Sequence, residues 1–291
     1  MFTKILLALL MPNLLLTALP RGEMVKGVSV QRTPGWYKTN PLTIEPIISS
    51  PSAVVIDGET GQVLFKKNQD VVRPVASISK LMATYMYLQK TNSDLIREIT
   101  LKPSDERNGG KKFIFRGDAG TADDFLNVAL IGSDNSAITA LARSAQLLEN
   151  YKEEARRVSA KYQLTNTSFI EPTGLDARNT STALEIARLA NIVWGDKHIA
   201  EISAKKQYDF VPKGSSRKRV IISTNDLLNT NVFTSTAGKT GYTKEAGYSL
   251  VTKAIDHKGK EIIITVLGAP TEFDRFADAK ALGYWIFENF E

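Results

Sequence analysis

Two serines and a lysine stand together in RPVASISK, residues 73–80. A serine hydroxyl attacks a carbonyl only when a neighbouring base takes its proton. Histidine is the usual base, but the chain has only His198 and His257. His257 falls in a predicted turn, and His198 follows a Gly-Asp-Lys loop signal. Neither neighbours a candidate serine in sequence, so a Ser-His-Asp triad is not expected. Neither has a metal-ligand spacing, and no cofactor is called for. A Ser-Lys pair remains. On a helix, residues three apart share a face and adjacent residues do not, which pairs Lys80 with Ser77 rather than Ser79.

Ser-x-x-Lys recurs at Ser203/Lys206 and Ser215/Lys218, so the spacing alone selects nothing. Context separates Ser77, which opens a predicted helix after Pro74, where free backbone N–H groups and the helix dipole favour developing negative charge. Two further triplets matter. Ser133-Asp134-Asn135 lies between the apolar segments VALI and SAITALA, where a short loop can reach into a cleft. Lys239-Thr240-Gly241 precedes a strand-like run, and its glycine permits close approach to the backbone. Each alone reads as turn or cap chemistry. Ser-x-Asn also occurs at Ser223/Asn225, read as strand and turn. In the order Ser-x-x-Lys, Ser-Asp-Asn, Lys-Thr-Gly, the combination is specific.

These residues need a frame. SAVVIDGETGQVLF reads as two strands around a turn at residues 58–61. Residues 77–89 read as a helix, with Ile78, Leu81, Met82, Tyr85, Met86 and Leu88 at helical spacing. Residues 92–200 read as mostly helical, with capping-box patterns at Thr121/Asp124 and Thr182/Glu185. From residue 207 strands return, in YDFV, KRVII, AGYSLVTKAID and EIIITVLGA, before a final amphipathic helix near 272–289. This order predicts an α/β (α+β) fold in which the two chain ends build one antiparallel sheet, covered by helices and interrupted by a helical insertion.

The chain has 291 residues, 43% hydrophobic and 23% charged, with a formal charge of +6 and no cysteine. Disulfides and thiol catalysis are excluded. The moderate positive charge favours an anionic polymer or surface as a neighbour. The basic run of Lys213, Arg217, Lys218 and Arg219 has no interleaved aromatics and reads as a solvated loop, so no nucleic-acid partner is expected. At the N-terminus, Lys4 precedes a leucine-rich stretch of signal-peptide length with a poor cleavage signal. Residues 1–19 are read as a signal peptide or signal anchor, 20–50 as a flexible tether, and 51–291 as the catalytic domain. The protein is expected to be exported, to the periplasm or cell envelope, with membrane attachment through its N-terminal segment if the leader stays.

The three motifs, together with VIDGETGQVLF, RPVASISKLM, GDAGTADDFLNVALIGSDN, FIEPTGLDARNTSTALEIARLA, STNDLL and KTGYTKEAGYSLV, resemble the low-molecular-mass penicillin-binding proteins, the serine D-alanyl-D-alanine carboxypeptidases and endopeptidases. The resemblance implies a β-lactamase/transpeptidase-like fold acting on peptidoglycan stem peptides and inhibited by β-lactams. It assigns Ser77 as nucleophile, Lys80 as general base with a pKa lowered by burial and by Lys239, and Ser133 as proton relay to the leaving amine. Asn135 would bind the substrate backbone, and Lys239 and Thr240 of the Lys239-Thr240-Gly241 triplet its terminal carboxylate. The N–H groups of Ser77 and Tyr242 would form the oxyanion hole. The larger members carry a C-terminal β-rich domain that is not expected here, and the shared EPTGL segment makes the chain more like the short endopeptidase type. Two alternatives stand beside this reading: a class A-like β-lactamase using Glu171 for deacylation, and a catalytically silent peptidoglycan-binding module. Glu171 is expected to be structural.

Overall fold

The structure is a computed structural model describing residues 35–229 and 233–291. The expected leader and residues 20–34 of the expected tether lie outside these. Strand β1 (Ser52–Asp57) and β2 (Val63–Lys67) form the predicted hairpin, with Gly61 at φ 73° in its turn. They join β9 (Thr234–Thr243), β10 (Gly247–Ile255) and β11 (Glu261–Ala269) in one antiparallel sheet of order β2-β1-β11-β10-β9. Opposite ends of the chain meet where β1 pairs with β11, Val54 opposite Thr265 and Val55 opposite Ile264.

Period-two alternation gives this sheet two buried faces. Ala53, Val55, Ile262, Ile264 and Val266 face one core with Phe276, Leu282, Trp285 and Ile286 of the last helix, α7 (Glu272–Asn289). Val54, Ile56, Val251 and Ile263 face a second, larger core supplied by the helical insertion. That insertion carries α1 (Lys80–Thr91), α2 (Ala122–Ile131), α3 (Asn135–Ser144), α4 (Tyr151–Lys161), α5 (Ala183–Val193) and α6 (Lys197–Ala204). Small paired strands brace it: β3 (Arg73–Pro74) with β6 (Thr180–Ser181), and β4 (Glu98–Thr100) with β5 (Ala119–Thr121). A separate hairpin, β7 (Gln207–Phe210) with β8 (Arg219–Ile222), leads back to the main sheet. Among the described residues no helix is long and apolar enough to cross a membrane.

Four local expectations change. The helix read from residue 77 begins as a 3₁₀ turn, Ala76–Ser79, and becomes α1 only at Lys80. Thr121/Asp124 forms the full capping box, but at Thr182/Glu185 only the threonine caps. The Glu185 carboxylate instead accepts from Asn166 N at 2.9 Å and Thr167 Oγ1 at 2.5 Å, pinning the loop after α4. Lys239-Thr240-Gly241 does not merely precede a strand but lies within β9. The tether reading fails from residue 37 onward. Tyr37 exchanges backbone hydrogen bonds with Glu291, and Ser49 and Ser50 donate to the buried Asp278 carboxylate at 2.6–3.0 Å. Residues 37–50 form no helix or extended strand, yet their backbone and side-chain groups attach them to the fold.

Candidate active site

Ser77 is seated by its backbone neighbours. Ala76, just before it, has φ 48°, a conformation disfavoured for a residue with a Cβ. Two glycines press on this turn. A Cβ on Gly174 (φ 86°) would lie 1.9 Å from Ala76 O and 2.7 Å from Ser77 N, and one on Gly241 would lie 2.8 Å from Val75 O and 3.2 Å from Ser77 N. The close approach that Gly241 permits is thus to the Val75–Ser77 backbone, and Gly241 also lines the cleft.

The 3₁₀ turn places residues i and i+3 nearly in line, so Lys80 Nζ sits 2.9 Å from Ser77 Oγ. Lys80 is fully buried. Its amine also donates to Asn135 Oδ1 at 2.7 Å and Thr173 O at 2.8 Å. Those two oxygens are acceptors only, and Asn135 is oriented by its Nδ2–H donating to Gly109 O at 2.9 Å. A neutral amine has two N–H groups and one lone pair. With both N–H groups donated to Asn135 and Thr173, the lone pair is left for the Ser77 proton. Burial lowers the Lys80 pKa to about 7, against the pull of the Glu171 and Asp134 carboxylates, which favour its charged form.

Ser133 occupies the turn between α2 and α3 at φ 60°, and its hydroxyl accepts from Lys239 Nζ at 2.8 Å. Asp134 explains the middle of that triplet. Its carboxylate caps α3 by accepting from Ser136 N and Ala137 N at 2.8 and 3.0 Å, and binds Phe113 N at 2.7 Å. Lys239 is buried in β9, also donates to Thr240 O at 2.9 Å, and has its pKa pushed well down by burial, then by Lys80 and Arg275. Burial is the largest cause for both lysines, and their mutual repulsion also disfavours charging both amines together.

Above these buried lysines lies a cleft of about 660 Å³, lined by Ser77, Ser133, Asn135, Thr240, Gly241 and Tyr242. All eight candidate residues therefore converge: six line the cleft, and Lys80 and Lys239 bond to its Ser77 and Ser133. Sequence reading missed several others. Thr224, read as strand and turn, meets Thr240 through paired hydroxyls at 2.6 Å. Arg275 on α7 is buried beside Gly241, ion-paired to Glu272 at 2.6 Å, with its Nε lacking a partner. Tyr248 stacks on Tyr242 with ring centres 4.2 Å apart. Only the Ser-x-Asn pattern at Ser223/Asn225 hinted at one of them; Arg275 is indistinguishable from an ordinary helix residue in sequence.

The remaining candidates disperse. Ser203 accepts from Trp194 Nε1 at 3.2 Å, and Ser215 lies in the β7–β8 loop. In that loop region Lys213, Lys218 and Arg219 pair with Glu98, Asp209 and Asp118. His198 pairs with Asp123 at 2.5 Å. Glu171 accepts from Thr173 N and Oγ1, Gly174 N and Asn179 Nδ2 at 2.6–2.9 Å, so its carboxylate organises the loop that seats Ser77.

Sheet, insertion and paired Ser-Lys site define a serine peptidase of the penicillin-binding class. The chain belongs to the D-alanyl-D-alanine carboxypeptidase family, peptidase S11, whose pattern matches residues 40–271. It is 30% identical to a D-alanyl-D-alanine endopeptidase of Pseudomonas aeruginosa over 259 residues, 84% of this chain and 79% of that one. It is 29% identical to the Escherichia coli D-alanyl-D-alanine endopeptidase over 258 residues, 83% of this chain and 78% of that one. Among solved structures, the Streptomyces K15 DD-transpeptidase superposes with TM-score 0.76 at 25% identity, covering 83% of this chain and 98% of that one. Penicillin-binding protein 5 of Haemophilus influenzae gives 0.77 at 26%, covering 86% and 74%.

Proposed function

We propose that this serine DD-peptidase cleaves D-alanyl peptide bonds of peptidoglycan stem peptides through a Ser77 acyl-enzyme, with cross-links as its preferred substrates. The observation that carries the reading is the Lys80 amine, buried and presented to Ser77 with its other two neighbours able only to accept. Ser77 Oγ attacks the D-alanyl carbonyl while its proton passes to Lys80. The N–H groups of Ser77 and Tyr242 stabilise the oxyanion. The C–N bond breaks, the leaving amine takes a proton by way of Ser133, and water then hydrolyses the ester. Asn135 holds the substrate backbone, and Lys239 with Thr240 holds the carboxylate on the leaving group. A β-lactam acylates the same serine.

The endopeptidase preference is supported by the Pseudomonas and E. coli relatives, which share most of their length with this chain. The apolar run after Lys4 and the location of peptidoglycan support action outside the cytoplasmic membrane, in the periplasm or cell envelope, with the N-terminal segment as leader or anchor. The Glu171 hydrogen bonds weigh against a β-lactamase, since the loop already uses the carboxylate that would activate water.

Incubation with benzylpenicillin, followed by intact mass and peptide mapping, tests the reading. A long-lived penicilloyl group on Ser77 is expected. Rapid drug hydrolysis without an adduct would move the assignment to β-lactamase, and neither adduct nor turnover would leave a binding module.

A further inference from the structure

Beside the cleft, a second groove of about 540 Å³ runs along the first turns of α7. Asp226 and Glu272 line both, so the groove adjoins the cleft at these two side chains. Phe276 and Ala277 form the groove floor, Phe273 stands beside them with 76% of its surface exposed, and Lys280 closes the far end. The lining is mainly apolar, with acidic groups at the near end and a cation at the far end. Glu272, paired to Arg275 beside Gly241, fixes the start of α7 against the strand that carries Lys239 and Thr240.

The chemistry of the leaving group gives this groove an occupant. In a D-Ala-D-Ala end, the leaving amine bears a carboxylate and a methyl on one carbon. In a D-Ala–diaminopimelate cross-link, the corresponding carbon bears the same amine and carboxylate, but its side chain is a trimethylene arm leading into a second stem peptide. The two substrates are alike at every group that Ser77, Lys80, Ser133, Lys239 and Thr240 address. They differ only beyond the methyl. A largely apolar groove beside the cleft has nothing to bind in the first substrate and a hydrocarbon arm to bind in the second.

We infer that the α7 groove is the leaving-strand subsite, in which the trimethylene arm lies on Phe273, Phe276 and Ala277 and the second stem peptide runs toward Lys280. The inference rests on the proposed DD-peptidase reading and deepens it from bond type to cross-link selection. The reaction stays a hydrolysis: the D-alanyl C–N bond breaks, water supplies OH to the carbonyl carbon and H to the diaminopimelate nitrogen.

The test uses the full chain and three probes: benzylpenicillin, a pentapeptide ending in D-Ala-D-Ala, and a cross-linked muropeptide dimer. Phe273→Ser removes the exposed wall, and Ala277→Trp fills the groove. Both variants are expected to lower kcat/KM for the dimer by about tenfold or more, the scale of lost apolar contacts in a specificity pocket. Penicillin acylation and pentapeptide cleavage should stay within about twofold of wild type. Should Ala277→Trp not fold, Phe273→Ser, altered at an exposed position, decides alone. Equal loss on all three probes, no loss on the dimer, or a wild-type enzyme that cleaves the pentapeptide but not the dimer would overturn the subsite. A wild-type protein that penicillin does not acylate would instead overturn the reading on which it rests.

Discussion

Lys239 donates to the Ser133 hydroxyl at 2.8 Å across 106 residues of sequence, joining the strand that carries one motif to the turn that carries another. With Ser77 and Lys80 at 2.9 Å, the site contains two hydroxyl–amine pairs, and both amines are buried. Burial drives both pKa values down, and the closeness of the two amines drives Lys239 down further. In the proposed mechanism one pair takes the proton from Ser77 and the other steadies the Ser133 hydroxyl that returns it.

If Ser133 and Lys239 act as a unit, their losses will not multiply. Ser133→Ala and Lys239→Met should each slow pentapeptide cleavage, and the double variant should be only slightly slower than the worse single one. A double-mutant cycle on kcat/KM reads the coupling, expected at about 0.5–3 kcal/mol; strictly additive losses would separate the two roles.

Acylation by a fluorescent penicillin should rise with pH through a midpoint near 7. The sign follows from Lys80: below its pKa of about 7 the amine is protonated and has no lone pair for Ser77, and above it the base is free. Lys80→Arg, which stays charged at all accessible pH values, should lose about 10²–10⁴-fold in acylation rate and the midpoint with it. Stopped-flow rates from pH 5 to about 9 provide the check; a flat profile in wild type would remove Lys80 as the base.

The same shift predicts how stability depends on pH. An unfolded Lys80 titrates at its ordinary value of 10.5, well above its folded value of about 7. Between these the unfolded chain binds more protons, so stability must rise with pH across that window, by up to about 1.4 kcal/mol per pH unit for the group. Urea unfolding at pH 7 and pH 9 should show the rise, and Lys80→Met should make it shallower while the buried Lys239 keeps a slope of the same sign. A wild-type stability that falls over this interval would contradict the burial argument.

Gly174→Ala should disable the enzyme without touching its chemistry. The new Cβ would meet Ala76 O at 1.9 Å and crowd Ser77 N at 2.7 Å, and φ 86° is unfavourable for alanine. The backbone of Ser77 must shift, and a displacement near 1 Å costs on the order of 10²-fold in acylation. Glu171→Gln is the companion test. It turns an N–H₂ toward donors in the same loop, costing about 1–3 kcal/mol, and removes an anion that favours protonated Lys80. Its melting temperature should fall and its acylation midpoint should move to lower pH. Abolished deacylation with unchanged stability would make Glu171 catalytic.

Much of this was legible in the sequence because it is written in short-range periodicities. Alternating apolar residues at both ends and helical spacing between them imply a sheet closed by distant strands, and β1 against β11 is that closure. The i, i+3 spacing of Ser77 and Lys80 survived although the local helix is 3₁₀ rather than α, since both geometries bring those positions together. Asn135, Lys239 and Thr240 were legible as motifs in a fixed order.

What the tertiary structure alone decided is everything that depends on which segments become neighbours. Arg275, Thr224 and Tyr248 enter the cleft because α7, the segment before β9, and β10 pack around the Lys-Thr-Gly strand, and none carries a local signal of that. Residues 37–50 show no repeating pattern, yet Asp278 and the C-terminal residues hold them in place. The protonation of Lys80 is decided the same way. A lysine is ordinary in sequence, and only complete burial lowers its pKa to about 7, because the cost of a buried charge is set by surroundings that the chain assembles from far apart.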